Sequence, residues 1–191
     1  MSNYLKSVLK QFEYYKSLGE KTMLQLEDEN LFWQANESSN SIAIIVNHLS
    51  GNMLSRWTDF LTTDGEKEWR NRDDEFEDII KNKKDLMEKW ERGWACLFYA
   101  LSELKTDDDL QKIIYIRNEG HTVLEAINRQ LAHYPYHIGQ IVYLGKLIKS
   151  TNWLALSIPK NKSKEYNSAK FSEAKKMQHF TEEFLDKKNN P

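Results

Sequence analysis

The sequence predicts an all-α fold, a four-helix bundle with one long crossover, on three observations. Apolar residues recur at helical spacing through four long stretches. Seven Gly and three Pro in 191 residues leave those stretches almost unpunctuated. One connection, Thr62 to Asp73, is long enough to carry the chain back along a bundle. Against a prior of about 150 residues per domain, one domain is expected. It should span 1–160, followed by a Lys-rich extension over 161–191.

Tyr4 to Leu26 reads as the first helix, with Leu5, Val8, Leu9, Phe12, Tyr15 and Leu18 on one face. The polar segment 27–40 ends in a Ser/Asn cluster suited to capping a helix. The second helix runs from Ser41 to Leu61, its stripe carried by Ile42, Ile45, Val46, Leu49, Met53, Trp57 and Phe60. Asp64-Gly65 marks a turn in the crossover. The third helix is expected over Asp74–Leu104, with Ile79, Leu86, Trp90, Trp94, Leu97 and Leu101 inward. Lys112 to Ile116 alternates and is β-branched, a short strand whose turn is Asn118-Glu119-Gly120, making a β-hairpin before the last bundle helix. Thr122 to Lys149 is the fourth helix. Pro159 to Lys170 reads as a loop, and Phe171, Ala174, Met177, Phe180 and Phe184 as a short amphipathic helix.

Composition narrows the function. Lys+Arg total 27 and Asp+Glu 29, a net charge of -2, whereas a dedicated nucleic-acid binder is usually basic. A 40% hydrophobic fraction with six Trp, nine Tyr and eight Phe can fill a core, which excludes disorder of the whole chain despite a mean hydropathy of -0.73. One cysteine, Cys96, cannot pair internally and fits a reducing cytoplasm. The amino terminus lacks the apolar core of a signal peptide, and the apolar run Trp94–Leu101 is far short of the ~20 residues a spanning helix needs. The expectation is a soluble cytoplasmic protein with no nucleic-acid or membrane partner.

Glycine-rich phosphate loops, a Gly-x-Ser-x-Gly elbow and Glu-x-x-His pairs are all missing, which removes nucleotide, serine-hydrolase and di-iron chemistry. Cys96, on an apolar helix with no nearby His or cation, reads as a small buried hydrophobe. The histidines say more. His133 and His137, in HYPYH, stack one turn apart on a helix and can reach one metal ion. They sit at the flank of the stripe Ile127-Leu131-Tyr134-Ile138, beside Ala126 and Gln130. His48 holds a similar flank of the second helix, with Asn52 one turn on. Such histidines can equally be solvated or satisfied core residues. Arg56 tips the balance: seven residues after Leu49, it lies near the middle of the apolar stripe, where a cation needs a buried partner or a polar cavity. Pro135 interrupts the pair, but the apolar phase runs on to Ile141 and Leu144, so one kinked helix is expected.

The strings SIAIIVNHLSGNMLSRW and INRQLAHYPYHIGQI resemble the DinB superfamily over about residues 1–160. The resemblance implies a four-helix bundle, often a homodimer, holding a divalent transition metal, zinc or nickel foremost. By position it implies His48, His133 and His137 as ligands. Members of known activity use low-molecular-weight thiols, as bacillithiol S-transferases or mycothiol-dependent isomerases. Three imidazoles leave a coordination position open to a thiol or to water. Asn52, Arg56 and Gln130 are then candidates to orient an anionic small-molecule substrate or a thiol cofactor. Thiol transfer is the reading favoured by the resemblance. Its alternatives are a metal-dependent hydrolase, for which no glutamate at either flank supplies a base, and a non-catalytic stress-response protein that binds metal or a small ligand.

Overall fold

Four long helices position everything that follows. They are α1 (Asn3–Met23), α2 (Ile42–Trp57), α3 (Lys83–Ser102) and α4 (Val123–Lys149). The computed structural model describes residues 3–185, and among these it is mostly helical, with six α-helices and one two-stranded antiparallel sheet. α2 packs most extensively on α3, and α1 on α4. The aromatic centre lies where α1, α3 and α4 meet: the Phe12, Trp94 and Tyr134 rings stand 5.8–6.4 Å apart in tilted and edge-on contacts.

The helix starts follow local chemistry. Ser41 Oγ accepts the Ile44 N–H at 3.2 Å and caps α2. Thr122 and Glu125 form a reciprocal capping box at the start of α4. α4 then runs through Pro135 as one helix. Fourteen of the sixteen residues of α2 are buried. A helix enclosed on nearly all sides must hide its polar residues too, so Asn47, His48, Asn52 and Arg56 all require partners inside the protein.

Three expectations are corrected. The third helix starts at Lys83, not Asp74, because Asn82 caps it by accepting the Asp85 N–H at 2.9 Å. Asp73–Phe76 is instead a short 3-10 turn, held by buried Asn47, whose amide donates to the Asp74 and Glu75 carbonyls. Ile79 is consequently 52% exposed, and Ile80 takes the buried place. Next, β1 (Ile113–Ile116) and β2 (Glu119–Thr122) are joined by Arg117 and Asn118, with φ of 56° and 61°, so Glu119 and Gly120 belong to β2. Two-residue hairpin turns need positive φ at both positions. The carboxylate of Asp64, in the crossover, holds this turn by accepting both N–H groups at 2.8 Å. Lastly, the segment read as a loop contains α5 (Ser163–Ser172), and the helix expected around Phe171–Phe184 shrinks to α6 (Glu182–Leu185). Phe171, Met177 and Phe180 are exposed. α6 sits against α1, where Lys21 donates to the Phe184 carbonyl at 2.8 Å.

Candidate metal centre

His48 projects from α2 and His133 and His137 from α4. A buried chain of hydrogen bonds ties the two helices at this level. Trp57 Nε1 donates to the Tyr134 hydroxyl at 3.0 Å, which donates to Asn52 Oδ1 at 3.2 Å. Across the gap the three Nε2 atoms converge: His133 Nε2 lies 3.3 Å from that of His48 and 3.1 Å from that of His137. His48 and His137 are buried, and His133 is partly so.

Each ring is held from behind. His48 Nδ1 is 2.9 Å from Glu75 Oε2, His133 Nδ1 3.1 Å from Gln130 Oε1, and His137 Nδ1 2.7 Å from Gln140 Oε1. All three partners are acceptor oxygens, so each Nδ1 carries the proton and donates. With the proton on Nδ1, each ring in the ligating form turns an Nε2 lone pair to the common centre. Burial, then the neighbouring His137 and His48, pulls the His133 imidazole down to about 3. Burial also lowers His137, against the hydrogen bond that His137 donates to Gln140. Three lone pairs facing one another repel unless a cation lies between them. Nitrogen ligands about 2.0–2.1 Å from a tetrahedral ion stand roughly 3.3 Å apart, close to the separations of His133 Nε2 from its two neighbours. The three histidines could thus hold a metal ion, and the donor set fits one.

Glu75 is the residue that sequence reasoning missed. It arrives from the turn ahead of α3, 27 residues after His48, and no local spacing announces it. Arg70 grips its carboxylate through two bonds, Nε to Oε1 at 2.7 Å and Nη2 to Oε2 at 2.9 Å. Burial pushes the Glu75 carboxyl up, but the hydrogen bonds from His48 and Arg70 and the Arg70 charge outweigh it and keep it ionised. Gln140 was also missed, although its signal was present: Gln130 and Gln140 flank the histidine pair at three residues on either side, the spacing of one helix face.

The histidines floor a pocket of about 440 Å³. Asn52, Arg56 and Gln130 all line it, joined by Arg70, Arg72, Arg117, Arg129 and Phe76. Phe76 stacks on the His48 ring at 4.6 Å and is capped by Arg72 at 5.1 Å. Arg56 has the buried partner its position demanded: it bonds the Gly65 carbonyl and pairs with Glu66 at 3.1 Å. Gln130 serves His133 directly, and Asn52 serves the Tyr134 link. Cys96 lies elsewhere, against Thr58 and the Met53 carbonyl, and burial pushes its thiol up.

Fold and site together define a mostly helical protein with a buried three-histidine centre able to hold a metal ion. The chain belongs to the family described as "Protein of unknown function (DUF1572)", whose model matches residues 1–162. No curated protein and no solved structure matches it. Among the described residues, no helix is long and apolar enough to cross a membrane.

Proposed function

We propose that this chain is a DinB-type four-helix bundle acting as a divalent-metal-dependent transferase for a low-molecular-weight thiol. The observation that carries the reading is the set of three Nε2 lone pairs, each fixed by an acceptor behind its ring. A divalent ion held there supplies a positive charge that favours the ionised, nucleophilic form of a nearby sulfur. In the transfer, the thiol sulfur forms a bond to an electrophilic carbon, the leaving group departs with its electron pair, and the thiol proton passes to solvent. The chain's own residues bind and orient. Asn52 is fixed by Tyr134, Phe76 walls one side, and the arginines receive the anionic parts of the reactants.

Two observations favour thiol transfer over water activation. Among the described residues, the pocket lining holds no carboxylate to act as a base. Glu75, the nearest candidate, faces the back of His48 and is occupied by Arg70. Cys96, outside the lining and with its thiol pushed up, is not the nucleophile, so the sulfur comes from a cofactor. Conjugation of monochlorobimane with several thiols, measured with and without added zinc or nickel, tests the reading. A metal-dependent rate that survives Cys96→Ala and is abolished in His48→Ala is expected. No metal-dependent rate with any thiol would overturn it and leave the binding-protein reading. Metal analysis should find close to one ion per chain, lost in His133→Ala.

A further inference from the structure

Six arginines and 21 lysines make up the basic residues of this chain. Five of the six arginines line the pocket above the histidines, and no lysine does among the described residues. They come from distant places: Arg56 from α2, Arg70 and Arg72 from the crossover, Arg117 from the hairpin turn, and Arg129 from α4 one turn before His133. If only positive charge were needed, lysine, more than three times as abundant, would be expected among them. Guanidinium offers a planar fork of donors that matches carboxylate and phosphate oxygens, which an ammonium cannot copy.

The charges do not balance within the protein. Glu66 serves Arg56, Arg70 and Arg117 together, and Glu75 serves Arg70 and His48. Two carboxylates thus answer five guanidiniums, leaving three positive charges in excess. Arg72 and Arg129 have no carboxylate partner among the described residues, and neither side chain is buried. Arg56 is different: it is only 6% exposed, and its Nε has no hydrogen-bond partner among the described residues. A buried donor left unpaired is costly, and so is a cluster of like charges. Burial, with the charges of Arg70 and Arg129, already disfavours the charged form of Arg56.

From this we infer that the pocket binds a small molecule carrying two or more oxyanions, recognised by Arg56, Arg72 and Arg129 while its reacting group meets the histidines. The inference deepens the reading above. It rests on that reading for the placing of the reacting group, but the anion recognition stands on the arginines alone. The cavity, about 440 Å³, suits a small metabolite rather than a polymer. Carboxylates and phosphates share the chemistry that the arginines read.

The test is calorimetric titration of the metal-free full chain with pyrophosphate, with tricarballylate and with acetate. Both polyanions should bind at least tenfold more tightly than acetate. A preference for pyrophosphate identifies a phosphorylated ligand, a preference for tricarballylate a polycarboxylate, and equal binding the shared oxyanion chemistry. The exposed pair Arg72→Met and Arg129→Met, combined, should weaken polyanion binding about tenfold without threatening the fold. Arg92→Met, the sixth arginine, should not change it. Arg56→Met should weaken it further if that variant folds. Equal affinity for acetate and polyanions, or unchanged binding in the Arg72/Arg129 double variant, would overturn the inference. His133→Ala separates the two readings: it should lose metal yet keep polyanion binding. If the parent chain proves to bind no metal, the transferase reading fails while the anion site stands or falls on its own titration.

Discussion

Replacing Gly51 with alanine puts the support of His48 under direct strain. On helix propensity alone the change should stabilise α2, by about 1 kcal/mol. Its surroundings dictate the opposite for the metal centre. A Cβ built at Gly51 would stand 2.7 Å from Glu75 Cδ and 3.0 Å from Glu75 Cγ. Favourable carbon–carbon separations begin near 3.5 Å, so the carboxylate must retreat by about 0.8 Å. Gly51 and His48 lie three residues apart on the same face of α2, so the carboxylate that crowds one is the carboxylate bonded to the other. A retreat of that size along the Glu75–His48 bond, now 2.9 Å, would lengthen it to about 3.7 Å, past the limit of a hydrogen bond. Arg70 resists the movement by holding both carboxylate oxygens. Loss of such a partner behind a ligating histidine typically weakens metal affinity 10–100-fold. Zinc affinity measured by chelator competition should fall by that factor in Gly51→Ala, while metal-free thermal stability should not fall by more than a few degrees. In a Glu75→Ala background the same glycine change should cost no affinity. Unchanged affinity together with a raised melting temperature would refute the reasoning, because it would show that the carboxylate swings aside freely.

Three further outcomes follow from buried groups. Arg70→Met leaves the Glu75 charge buried without its cation (the side chains are 2% and 7% exposed), and urea unfolding should show a loss of about 3–5 kcal/mol, largely recovered in Arg70→Met/Glu75→Leu. Tyr134→Phe deprives both the Trp57 indole and Asn52 Oδ1 of their partner, and should cost about 1–3 kcal/mol in the same measurement. The metal-free protein should lose stability as pH falls from about 6.5 towards about 3, because His133 stays neutral in the folded state over that window while the unfolded chain takes up the proton. A chemical-denaturation midpoint that stays level across that range in the parent, yet is no different in His133→Ala, would contradict it.

Much of the fold was legible because it is written at short range. The caps at Ser41 and Thr122, the apolar period through Pro135 and the His-x-x-x-His stack each depend on residues within four positions of one another, where helix geometry alone decides who meets whom. Arg56 announced a polar cavity for the same reason: its phase on the helix contradicted its charge. The start of α3 was not legible. Asp74 to Asn82 continues an acceptable apolar period, and the contacts of Asn47 with the Asp74 and Glu75 carbonyls, with Arg70 and His48 on the Glu75 carboxylate, hold that segment off the helical path. That same diversion carries Glu75 to the back of His48. The convergence of five arginines from four separate segments is likewise invisible along the chain. Sequence by itself determined the four long helices and which two turns of α4 carry the histidines. Tertiary structure decided what stands behind each ring and what charge lies above it, because those contacts join segments whose separation in the chain has no fixed relation to their separation in space.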